Sequence, residues 1–76
     1  MEATELQTIA AEAGIDTGSP AEWYRFRRVF HLYHDARDQM NFSHSDAATI
    51  AGAEDRDEEA LIEAHRHVMQ NPHLHY

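Results

Sequence analysis

The aromatic residues in the middle of this chain constrain its folding more than any other feature. Trp23, Phe26, Phe30 and Tyr33 fall at helical spacing, and at about 100° per residue they share one half of a helix circumference with Val29, Ala36 and Met40. Residues 19–40 hold five of the seven aromatics and four of the six arginines. The stretch opens with helix-start chemistry: Ser19 as N-cap, Pro20 at the first helical position and Glu22 as capping-box partner. A helix over residues 20–40 is therefore expected, with the remaining helices laid against its aromatic side.

Local signals place those remaining helices. Thr4 and Gln7 form a capping box for a helix over about 5–13, whose stripe is Leu6, Ile9, Ala10 and Ala13. Gly14 reads as its left-handed terminator and Ile15 as the apolar residue that folds back beyond it. Asn41 and Phe42 end the central helix. Ser43 with Asp46 signals a short helix over about 46–51, closed by Gly52, and Asp55 with Glu58 signals a last helix over about 56–70. That last helix carries Leu61, Ile62, Ala64, Val68 and Met69 on its apolar arc, with His65 near the centre. Pro72 stops it, and residues 71–76 read as irregular. Without repeats or linkers, residues 1–76 are expected to form a single all-α domain. It is a small bundle of three main helices plus one short helix, packed around the central helix.

Composition bears on how such a bundle is held together. Leu, Ile, Val and Phe make up 13 of 76 residues beside a formal charge of −8, a pairing that falls inside the composition range associated with disorder. Twelve alanines form helix well but bury little area. So lean a core predicts stabilisation by a partner, by self-association or by high salt. All six cationic side chains are arginine, which suits a haloadapted surface and, nearly as well, a GC-rich coding sequence. Charge is also segregated: residues 1–18 sum to −4, 19–40 to +1 and 41–76 to −5. The flanking segments are expected to fold onto the central arginines.

Several classes are disfavoured. The absence of cysteine removes disulfides and thiolate metal sites. No apolar run approaches the roughly 18 residues of a membrane span. The first residues, Met1-Glu2-Ala3-Thr4-Glu5, are acidic where a secretory signal is basic, so a cytoplasmic location is expected. There is no glycine-rich phosphate loop and no Gly-x-Ser-x-Gly elbow, and Ser19, Ser43 and Ser45 sit at cap-like positions. No enzyme activity and no cofactor are expected.

The leading expectation is a small acidic protein-interaction module: an adaptor, an inhibitor or a small structural subunit, bound to a protein partner or to its own copies. Behind the aromatic face lie Tyr24, Arg25, Arg28 and Leu32, and Tyr and Arg are the residue types that most often anchor interfaces. Trp23 joins this set as an aromatic that a lean chain covers poorly. Arg37 joins it from inside the aromatic arc, where it either snorkels outward or pairs with a carboxylate.

Two other readings compete. Residues 46–53 together with the last helix resemble a helix-turn-helix, with Ala48 and Gly52 at the spacing of that motif's tight turn. The resemblance implies a DNA-binding regulator with Arg56 and Arg66 at the contact. However, Glu58 stands where an apolar brace belongs, and Asp55, Asp57 and Glu59 bring carboxylates towards phosphates, so charge disfavours nucleic acid. The third reading is a metal-binding protein. His31, His34 and Asp38 lie within about 60° on one helix face and form a facial ligand set. The alternating pairs His65/His67 and His73/His75 are available from the other end of the chain.

Overall fold

The computed structural model describes residues 3–70; the irregular tail expected over 71–76, and the His73/His75 pair, lie outside the described residues. Among these residues there are four α-helices and no strand: α1 (Ala3–Glu12), α2 (Pro20–Asp38), α3 (His44–Ala51) and α4 (Glu58–Gln70). A 3-10 turn over Asp55–Asp57 leads into α4. None of the helices is long and apolar enough to cross a membrane.

Each boundary has a local cause. The Ser19 side chain accepts from the Glu22 N–H at 3.4 Å, with Pro20 in the first turn, so α2 starts as its sequence dictates. Gly14 takes φ 97° and lets the Ile15 N–H reach back to the Ala10 carbonyl at 2.9 Å, which buries Ile15. Gly52 repeats the device at the end of α3, with φ 76° and the Ala53 N–H on the Ala48 carbonyl at 3.0 Å. Asn41, at φ 55°, ends α2 two residues before the expected Met40 by folding the Phe42 N–H onto the Ala36 carbonyl at 3.0 Å.

Three starts differ from expectation. Helix α1 begins at Ala3, so Thr4 lies inside it, and the Gln7 amide donates instead to the Thr17 carbonyl at 3.5 Å. Helix α3 begins at His44 rather than Asp46, because Ser43 is itself the cap and accepts from the Asp46 N–H at 3.2 Å. The last helix is entered one residue earlier in phase: Glu54 is the cap, and its N–H donates to Asp57, not Glu58, at 2.9 Å.

The helices pack as two pairs. α2 and α3 form an antiparallel hairpin, in which Tyr33 meets His44 at one end while Val29 and Arg25 face Ala51 and Gly52 at the other. α1 lies along α4, with His67 of α4 on Glu5 of α1 at 3.0 Å. Between the pairs sits one core of Leu6, Ala10, Ile15, Phe26, Val29, Phe30, Tyr33, Ala36, Ala47, Ala51, Ala60, Leu61, Ala64 and Val68.

That core shows how a chain with few large apolar residues covers its own aromatic face. Phe26, Phe30 and Tyr33 are all buried within the single chain. Alanines supply the cover: Ala10 on α1, Ala47 and Ala51 on α3, and Ala60 and Ala64 on α4 let the backbones close over the rings. Trp23 is partly buried at the edge, while Met40, Ile62 and Met69 are exposed. The rings form a ladder at centroid spacings of 6.4 Å for Trp23–Phe26, 6.4 Å for Phe26–Phe30 and 5.9 Å for Phe30–His34. Truncating the centre of the ladder, Phe30→Ala, should lower the unfolding free energy of the isolated chain by about 3–5 kcal/mol. Chemical denaturation of the monomer checks this, and a loss below about 1 kcal/mol would deny Phe30 its core role.

Candidate functional site

The most buried charge sets the frame for every candidate surface. Asp57 has no solvent exposure, and both its oxygens accept from Arg25, Nη1 at 2.9 Å and Nη2 at 2.8 Å. Around this pair runs an outer layer. Arg25 also donates to Glu22 at 3.3 Å, and Arg56 donates to both Glu22 oxygens at 2.8 and 2.9 Å and to Glu54. Burial pushes the Asp57 carboxyl up, but the Arg25 guanidinium and the Glu54 N–H outweigh it, and the net pKa lies below the ordinary value. Glu22 is held low by Arg56 and then by Arg25. Arg25, expected on a contact face, therefore directs its guanidinium inward.

The rest of that face is differently placed. Tyr24 is 73% exposed and Leu32 38% exposed on the outer side of α2. A groove of about 420 Å³ runs between α2 and the end of α3, lined by Ala21, Tyr24, Arg25, Arg28, Val29, Ala51 and Gly52. Arg28 has no ion-pair partner among the described residues. Arg27 lies over the Trp23 ring at 5.8 Å from its centroid. Among the described residues Arg37 neither pairs with a carboxylate nor joins this groove: it donates to the Phe42 carbonyl at 3.3 Å and so caps the α2 turn.

At the other end of α2 three helices bring histidines together. The Tyr33 hydroxyl lies 2.7 Å from His44 Nδ1, and His44 Nε2 lies 2.5 Å from Glu58. Because the carboxylate only accepts, His44 Nε2 carries the proton there, and Nδ1 accepts from the Tyr33 hydroxyl. Burial raises the Tyr33 pKa. This Tyr–His–Glu chain ties α2, α3 and α4 through a hydroxyl shut off from solvent. Beside it, Asp38 faces His34 Nε2 at 3.2 Å and His65 Nε2 at 3.4 Å. Burial lowers the His65 pKa, against the pull of Asp38.

The structure thus rearranges the expected metal triad. His34 and Asp38 come together, but His31 faces Asp35 at 3.4 Å, and His65 completes the cluster from α4. His34 is half-buried on the aromatic ladder rather than on a fully polar face. The arginines of the DNA reading are engaged by carboxylates, Arg56 by Glu22 and Glu54 and Arg66 by Glu63. Helix α3 packs chiefly on α2, and it reaches α4 through the His44–Glu58 contact.

Asp57, His44 and Glu58 are the residues that sequence reasoning did not bring to a site, and His65 enters it only as a supplementary ligand. Asp57 had one signal, its place three residues after Glu54 in the order of a capping box. No protein-family model, curated protein or solved structure matches this chain.

The depressed Asp57 pKa fixes the sign of an acid response. The unfolded chain takes up the proton first as pH falls, so the stabilisation is complete above the ordinary carboxylate range and drains as pH drops through it towards the lower folded value. Melting temperatures followed by circular dichroism should fall across that range. In Asp57→Asn the fall should be visibly shallower, and an unchanged slope would contradict the assignment.

Proposed function

We propose that this chain is a non-enzymatic protein-interaction module whose α2–α3 groove receives a segment of another protein, one that presents an apolar side chain flanked by carboxylates. The observation that carries this reading is Tyr24. It is a large aromatic left in solvent by a chain that buries Phe26, Phe30 and Tyr33, and it stands at the mouth of the groove beside Arg28. Aromatic and arginine side chains of this kind dominate the binding energy of interfaces.

Charge selects the partner. The α2 wall of the groove belongs to the only non-acidic stretch of a chain of net charge −8, so an acidic segment is drawn to it and repelled elsewhere. A two-fold contact through the same face would bring two copies of Arg28 into an interface whose groove offers no carboxylate, which favours a different protein over a second copy of this chain. Arg25 supports the site from beneath by fixing the groove wall to Asp57. The arginine-only cation set together with the acidic composition supports a salt-adapted setting.

A photo-reactive amino acid at position 24 tests the reading in the cells that make the protein, with position 59 on α4 as control. Position 24 should yield one discrete adduct whose cross-linked peptide is rich in Asp and Glu, and Arg28→Glu should abolish it with no change in melting temperature. Adducts of equal yield at both positions, or a cross-linked peptide without acidic residues, would overturn it.

A further inference from the structure

We propose that His34 and Asp38 on α2 and His65 on α4 form a binding site for one divalent transition-metal ion of the zinc class. The ligand atoms converge from two helices: Asp38 lies 3.2 Å from His34 Nε2 and 3.4 Å from His65 Nε2, and all three residues offer a donor atom within 4.8 Å of the others. Ligands of a tetrahedral ion with bonds of about 2.0–2.1 Å stand about 3.3 Å apart; each imidazole already stands at that distance from one Asp38 oxygen, and drawing the three donors in from within 4.8 Å completes the set.

The donor set chooses the ion. Two imidazoles and one carboxylate, with no thiolate in the chain, suit zinc, cobalt, nickel or copper, and not calcium or magnesium, which take oxygen ligands. Three protein ligands leave further coordination positions to water. Without an ion, His65 Nε2 donates to Asp38, so binding of the metal through that atom moves its proton to Nδ1 of the same ring.

The rigidity of the site comes from the fold. His34 is stacked on Phe30, and His65 is set edge-on against Tyr33 at 5.6 Å between centroids, at an interplanar angle of 82°. Both rings are therefore positioned by core aromatics. His34 Nδ1 is buried with no hydrogen-bond partner among the described residues, so this ligand lacks the outer-shell acceptor that usually strengthens a metal-bound imidazole. The bound ion clamps α4 onto the last turns of α2, at the opposite end of that helix from the Tyr24–Arg28 groove.

Full-length protein carrying no affinity tag, stripped with a chelator, tests the site by calorimetric titration with Zn²⁺ and by the visible absorption of bound Co²⁺. One ion per chain should bind, and saturating Zn²⁺ should raise the melting temperature. Loss of an outer-shell partner alone costs about 10–100-fold in affinity, so His65→Gln and Asp38→Asn should each weaken binding by at least about 100-fold. Asp38 is exposed at a helix end, so Asp38→Asn keeps the test informative if His65→Gln folds poorly. His31→Gln, and the tail variant His73→Gln with His75→Gln, should bind as the parent does. Absence of saturable binding, binding that survives Asp38→Asn, or binding lost in the tail variant would overturn the proposal.

Discussion

Two oxygens of one buried carboxylate decide how this chain packs. Asp57 accepts both terminal nitrogens of Arg25 across 32 residues of sequence, and it also takes the Glu54 N–H that opens the last helical segment. One side chain thereby caps the entry to α4 and fixes that entry to the second turn of α2. A carboxylate without solvent exposure is costly unless every lone pair is satisfied, and only one orientation of α4 against α2 satisfies these. The outer carboxylate Glu22 and the cation Arg56 close the network where it meets solvent.

With α4 so fixed, its inward face follows. Asp57, Ala60, Leu61, Ala64 and Val68 share one stripe at helical spacing, and all are buried. The aromatic ladder of α2 then meets small side chains on every neighbour, which is why few large apolar residues suffice. The consequence for function is a division of labour along α2. Its inner side is closed by the chain itself, one outer end offers Tyr24 and Arg28, and the other end gathers His34, Asp38 and His65.

What could be read from sequence was what lies within one helical turn. Ser19 with Pro20, the left-handed glycines Gly14 and Gly52, and the arc of Phe26, Val29, Phe30, Tyr33 and Ala36 are set by neighbours three to five residues away, and the structure has each of them in place. What could not be read depends on partners far along the chain. The phase of α4 is the instructive case. A pattern that keeps acids out of the core rotates Ile62 and Met69 inward, whereas the structure leaves both exposed and buries Asp57 and Ala60. Arg25 was drawn outward for the same reason, because its carboxylate lies on another helix. His31 rather than His65 completed the expected ligand set, since only the first is close in sequence.

The central claim, that Arg25 and Asp57 act as one unit, is tested most directly by a double-mutant cycle. Unfolding free energies are measured for the parent, Arg25→Met, Asp57→Asn and the double variant, the asparagine keeping an acceptor for the Glu54 N–H. Charged hydrogen bonds of this kind carry about 1.5–3 kcal/mol, so the double variant should be more stable than the sum of the single losses predicts, by about that amount. Losses that add to within about 0.5 kcal/mol would contradict the claim.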